Sequence, residues 1–227
     1  MTHSRSYYTL VASLPALPSR FDAGRVPISW PTLRDRLRML ELPDAKVTRQ
    51  IGRFFLWARQ TLDETDSQVI ERYHELMRHT PNSLVRHLIH SRTESRLLIS
   101  AVRRQRMGLG PPDWSLRAGA DDPLVSHLRT NWSEPNFNLG VRHRWLEAFI
   151  KHYDQGDMRM AQWVTFNERW RDWTRIAERY NFTFEAVIVY LVRWEIVDRW
   201  TSQNAEVGKA RFANLIKETL GEYAESR

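Results

Sequence analysis

The distribution of proline is the strongest constraint that this sequence places on its fold. All ten prolines lie at or before Pro135, so the last 92 of the 227 residues contain none. Proline removes a backbone N–H and clashes with the preceding helical turn, so a long stretch without it is free to form long helices. Residues 157–180 carry apolar, mostly aromatic side chains at alternating spacings of three and four: Trp163, Phe166, Trp170, Trp173, Ala177 and Tyr180. This spacing predicts a helix with an aromatic stripe in the core.

The helical period recurs along most of the chain. It predicts further helices over residues 31–40, 44–62, 65–77, 80–108, 123–131, 141–154, 184–200 and 205–220. Only Tyr7–Ser13, with its β-favouring tyrosines, threonine and valine, is predicted to be extended. We therefore predict an all-α protein, a multi-helix bundle with a short extended N-terminal segment.

A glycine- and proline-rich stretch suggests how these helices are grouped. Residues 107–122 contain three glycines and two prolines, the composition of a linker. We therefore predict two packed helical subdomains, residues 1–107 and 123–227, joined by a linker over residues 108–122.

The positive charge is concentrated in one part of the chain. The formal net charge is +7, and residues 78–117 hold eight arginines against only Glu94 and Asp113. Within this stretch Arg103, Arg104 and Arg106 lie at a predicted helix end, with Arg96 two turns earlier. Cations are favoured at a helix C-terminus, so these arginines could stabilise the end of the helix. They could instead dock an acidic protein surface or contact nucleic acid. We predict that these four arginines bind a protein partner.

Most catalytic signatures are absent from the sequence. There is no cysteine, and no Gly-rich phosphate loop, HExxH or GxSxG motif. His87, His90 and Glu94 share a helical face at metal-ligand spacing, but surrounding arginines make a cation site electrostatically poor, so a solvated face is the preferred interpretation. Glu71 and Glu75 are interpreted as surface ion-pairing groups. We expect a protein that is not an enzyme, with no metal and no cofactor.

The remaining patterns bear on location and nucleic-acid binding. No segment is apolar over the roughly 20 residues that a membrane span requires, so we expect a cytoplasmic protein, peripheral to the inner face of the cell membrane through its partners only. Aromatic and basic residues alternate along residues 163–179, as in a nucleic-acid stacking platform, but the aromatic side chains follow the predicted core stripe.

Two stretches resemble an uncharacterised bacterial family whose members are encoded beside subunits of V/A-type ATPases. They are the start YYTLVASLP (residues 7–15) and FTFEAVIVYLVRWEIVDRW (residues 182–200), the latter continuing into a closing ARFANLIKETL helix. LLISAVRRQRMG (residues 97–108) is similar to the C/d-type subunits of V-type ATPases, helical proteins that cap the rotor axle. The family carries no established catalytic residues, so the resemblance implies none here.

The resemblance implies a non-catalytic component or accessory of a V/A-type ATP synthase/ATPase, such as a part of the central rotor that is similar to the C/d-type subunits. Its partners would be other subunits of that ATPase, which transports protons or sodium ions. The alternative is a basic helical nucleic-acid-binding protein, since the excess of arginine would also suit phosphates.

Overall fold

The chain folds into α-helices, and the prediction of an all-α protein is confirmed. The computed structural model describes residues 6–23, 25–55, 66–112 and 122–203. These ranges contain no β-strand beyond one isolated bridge. The helices are α1 (Tyr8–Ser13), α2 (Trp30–Arg36), a 3-10 turn (Leu37–Met39), α3 (Leu42–Phe55), α4 (Asp66–His79), α5 (Ser83–Arg106), α6 (Pro123–Thr130), α7 (Trp145–Asp154), α8 (Met158–Ala177) and α9 (residues 184–203). The predicted closing helix over residues 205–220 lies outside the described ranges.

The N-terminal segment differs from its prediction. Residues Tyr8–Ser13, predicted to be extended, form helix α1, and only Ser6 makes an antiparallel bridge, to Thr183. The helix buries Leu10, which is 1% exposed. Strand propensity is a weak preference that packing overrides, and burial of one face of a single helical turn outweighs it here.

Polar caps set where several helices begin. The side chain of Asn82 accepts a hydrogen bond from the backbone N–H of Val85, so α5 begins at Ser83, three residues after the predicted start at residue 80. Asp122 caps α6 in the same way, accepting from the N–H of Leu124. Residue 65, the predicted start of the preceding helix, lies outside the described residues.

The helices divide into two compact units that differ from the predicted subdomains. Unit 1 comprises residues 1–40 and 176–227, and unit 2 comprises residues 41–175. The predicted linker therefore lies inside unit 2, and residues 113–121 of it are not among those that the structure describes. Hydrogen bonds cross the predicted boundary. At the end of α5, the Gln105 amide donates to the carbonyl oxygens of Trp132 and Glu134.

Unit 1 joins the N-terminal segment to α9. The Tyr190 hydroxyl on α9 donates to the carbonyl oxygen of Pro15 at 2.9 Å. The indole Nε1 of Trp194 donates to the carbonyl oxygen of Ile28 at 2.8 Å. Indole and phenol groups that are buried normally find such partners, and here both partners come from the irregular N-terminal segment. The long N-terminal loop is thus fixed along α9.

The longest helices that the structure describes in unit 2 are α5 and α8. Helix α5 buries leucine and isoleucine side chains along its length: Leu84, Leu88, Ile89, Leu97 and Leu98. On α8, Phe166, Trp170 and Trp173 are buried, as the aromatic stripe predicts. The ring of Trp173 lies 5.8 Å from that of Phe55, which is also covered by the guanidinium of Arg92 at 4.8 Å. This cation–π contact lets a charged residue lie within the core.

Candidate functional site

The C-terminal end of α5 is fixed by a glycine turn. The N–H of Gly108 donates to the carbonyl oxygen of Gln105, and the N–H of Leu109 donates to that of Arg104. This pair of bonds is the Schellman motif, and it requires a left-handed residue, which Gly108 provides at φ +69°. The Arg104 guanidinium Nε also donates to the carbonyl oxygen of Gly110 at 2.8 Å. The end of the helix and residues 107–110 therefore hold one defined shape.

The turn presents two apolar side chains to solvent. Met107 is 68% exposed and Leu109 is 47% exposed. In a Schellman motif the residue after the glycine usually packs against an apolar residue in the last helical turn. Here the corresponding helical residue is Arg104, so Leu109 lacks that cover. The apolar surface of Met107 and Leu109 is thus left facing outward.

The structure gives the predicted partner-binding arginines different roles. Arg103 is exposed and makes no ion pair with any residue that the structure describes. Arg104 holds the turn, and Arg96 is half-buried two turns earlier. Arg96 and Arg103 are seven positions apart, which places them on one face of α5 about 10 Å apart along the axis. Of the four, Arg103 and Arg106 are exposed, and Arg103 is the one of these two that makes no ion pair with a described residue.

Arg106 is engaged within the chain. Its Nε and Nη2 donate to the two carboxylate oxygens of Asp154 at 2.8 and 2.9 Å, a bidentate pair that joins the ends of α5 and α7. The shared hydrogen bonds raise the pKa of Arg106 and lower the pKa of Asp154. Both groups stay charged and neutralise each other, so Arg106 acts as a brace between the two helices. Asp154 is 48 residues away in sequence, and no local pattern points to it.

His87, His90 and Glu94 do not converge on a common point. His87 is exposed, whereas His90 Nδ1 lies 2.8 Å from the hydroxyl of Tyr73 on α4. Burial is the main cause that raises the pKa of Tyr73 to about 12, so its hydroxyl is a neutral hydrogen-bonding group. In the part of the chain that the structure describes, no group of three histidine or acidic side chains could hold a metal ion.

Glu94 instead faces the segment that precedes α7. Its Oε1 lies 3.5 Å from Nη2 of Arg142 and 3.9 Å from Nε2 of His143. The distance to His143 is too long for a hydrogen bond, and that buried nitrogen has no hydrogen-bond partner among the described residues. Burial lowers the pKa of His143, and the pull of Glu94 in the opposite direction does not cancel it. The pKa of His143 thus depends on its burial within unit 2 and on the charges beside it.

The candidate residues of α4 and α8 differ in exposure. Glu71 and Glu75 are both exposed on α4. Trp170 is 5% exposed and Trp173 is 1% exposed, so these rings are not available for stacking on bases. No helix within the described ranges is both long and apolar enough to cross a bilayer.

Comparison with known proteins identifies the family. A family model described as "Protein of unknown function (DUF2764)" matches residues 55–222. The match covers most of the chain, and the chain therefore belongs to this family. No curated protein and no solved structure matches it.

The site therefore consists of the end of α5 and the turn that follows it. The sequence alone indicates the arginines at this helix end. It does not indicate Met107 and Leu109 as functional residues, because the composition of this stretch is that of a linker. The signal is present in the residues MGLG after a basic helical turn, since glycine at C′ is the mark of a Schellman cap. We call Arg103, Met107 and Leu109 the α5 tip.

Proposed function

We propose that this protein is a non-catalytic component or accessory of a V/A-type ATP synthase/ATPase. The observation that carries the proposal is the resemblance of residues 7–15 and 182–200 to proteins encoded beside subunits of such ATPases. The two stretches are distant in sequence, but they lie together in unit 1. The finer form of the proposal is a position in the central rotor like that of the C/d-type subunits, at the cytoplasmic face of the membrane.

Contacts between the two stretches support treating them as one structural feature. The backbone N–H of Tyr7 donates to the carbonyl oxygen of Phe182, next to the bridge between Ser6 and Thr183. The ring of Tyr8 lies 5.1 Å from that of Phe182. Residues that pack together constrain each other's side chains. A resemblance in two stretches that are in contact is therefore stronger support than a resemblance in two stretches that do not touch.

The α5 tip supplies a surface suited to association. Arg103 can attract an acidic partner over several ångströms in low salt, which raises the rate of association more than the final affinity. Of the four arginines predicted to bind a partner, this surface keeps Arg103, which is exposed and makes no ion pair with a described residue, and it adds two apolar side chains. Since Arg104 and Arg106 bond within unit 2, their removal would alter the fold as well as the surface.

The proposal is tested by purifying the full chain, with an affinity tag, from membranes of the source organism after nuclease treatment. We expect subunits of the V/A-type ATPase to co-purify in a fixed ratio, and we expect nuclease to leave the ratio unchanged. Recovery of the chain without ATPase subunits would overturn the proposal. Binding to nucleic acid that weakens steeply with salt would favour the alternative of a nucleic-acid-binding protein.

A charge variant sharpens the test. Arg103→Ser should lower the yield of ATPase subunits at low salt, and the difference from the unmodified chain should shrink as salt rises. The matched control is Arg86→Ser, which removes the same charge from an exposed position near the start of α5. Equal losses in the two variants would indicate a general charge effect and not a docking surface.

A further inference from the structure

We infer that the α5 tip is a recognition element that inserts Met107 and Leu109 into an apolar recess of a partner protein, with acidic residues at the rim of that recess. This inference rests on the proposed function, because it takes the partner to be a subunit of the V/A-type ATPase. In this arrangement Met107 and Leu109 make the main contact with the partner, in place of the arginine cluster.

Met107 and Leu109 lie at the end of a long helix. They follow the last residue of α5, which is 24 residues long, and they are 68% and 47% exposed. A methionine and a leucine exposed together suit insertion into a recess of a partner, as anchor residues of protein interfaces do. Much of their apolar surface stays in water until a partner covers it.

The turn after α5 is preorganised for binding. Two backbone hydrogen bonds and the bond from Arg104 to the carbonyl oxygen of Gly110 hold the turn before any partner arrives. A rigid element loses little conformational freedom when it binds, and this favours affinity. The bonds also fix Met107 and Leu109 relative to Arg103, which suits a partner whose own residues are fixed.

The tip also carries uncompensated positive charge. Residues 95–112 contain no acidic side chain, and Asp154 compensates Arg106. Arg103 therefore keeps its charge at the tip and complements carboxylates at the edge of a recess. Lipid-binding patches typically gather four to eight basic residues. A tip with one uncompensated arginine favours an acidic protein over an anionic membrane.

The test measures binding of the full chain to the purified V/A-type ATPase of the source organism, immobilised at low salt. The double variant Met107→Ser/Leu109→Ser should bind about tenfold more weakly than the unmodified chain. The control Leu42→Ser/Val141→Ser removes two apolar side chains that are 80% and 89% exposed elsewhere, and it should bind like the unmodified chain.

A glycine pair tests the rigid turn without removing any side chain of the tip. Gly108→Ala forces an L-residue into φ +69°, whereas Gly110 has no such conformation and an added Cβ there meets nothing within 4 Å. We expect Gly108→Ala to weaken binding severalfold and Gly110→Ala to leave it unchanged.

The outcomes separate this inference from the proposed function. Equal binding by the tip variant and the unmodified chain would overturn the inference alone. Failure of the unmodified chain to bind would overturn the proposed function and the inference with it. In a parallel assay with phosphatidylglycerol vesicles, binding by the unmodified chain that the tip variant loses would also overturn the inference, because the occupant would then be a membrane.

Discussion

At the scale of single residues, His143 makes the free energy of unfolding depend on pH. Its side chain is 11% exposed, and its Nε2 lies 3.9 Å from the Glu94 carboxylate, with Arg142 beside the same oxygen. Because burial lowers its pKa below the ordinary value of 6.5, the unfolded chain takes up this proton first as the pH falls. The free energy of unfolding should therefore decrease below about pH 6.5, until the pH falls under the native pKa.

Replacement of the imidazole tests that linkage. In His143→Gln the loss of stability between pH 7 and pH 5 should be smaller than in the unmodified chain, as measured by chemical denaturation at a series of pH values. His87→Gln is the control, since His87 is exposed and its replacement leaves the surroundings of His143 intact. Parallel pH curves for the unmodified chain and His143→Gln would show that the burial of His143 does not carry the effect.

At the scale of helices, the aromatic stripe of α8 gives the clearest prediction. Trp170 is 5% exposed near the middle of the helix, so Trp170→Ala should lower the free energy of unfolding by roughly 3–5 kcal/mol, through lost burial and the cavity left behind. The neighbouring exposed Arg171→Ala should change it by no more than about 0.5 kcal/mol. The denaturation midpoints measure both, and an unchanged midpoint for Trp170→Ala would contradict its place in the core.

The helices themselves are largely predictable, because each needs only a local apolar period. The stripe of α8 and the apolar residues of α5 are both visible in the sequence. Local signals fail where another contact determines the structure: α1 is helical despite strand-favouring residues, and the cap Asn82 makes α5 begin at Ser83 instead of residue 80. The ion pair between Arg106 and Asp154 depends on how two helix ends meet, which no spacing along the chain encodes.

At the scale of the whole molecule, the division into units follows contacts between distant residues. The hydrogen bond from Tyr190 to Pro15 spans 175 positions, and that from Trp194 to Ile28 spans 166. Composition marks a linker at residues 108–122, but composition reports where turns are tolerated and not which helices pack together. Because unit 1 combines the N-terminal segment with α9, residues 41–175 form a continuous unit with its own buried residues.

That continuity predicts which fragment folds alone. A fragment of residues 41–177, which ends with α8, should be helical and unfold cooperatively, because it retains Trp173 against Phe55 and Arg106 against Asp154. A fragment of residues 1–107 ends at the predicted subdomain boundary and lacks Asp154 and the carbonyl groups that Gln105 bonds to, so it should show no cooperative transition. Circular dichroism during chemical denaturation compares the two. Cooperative unfolding of residues 1–107 together with its absence in residues 41–177 would support the division at the glycine- and proline-rich stretch instead.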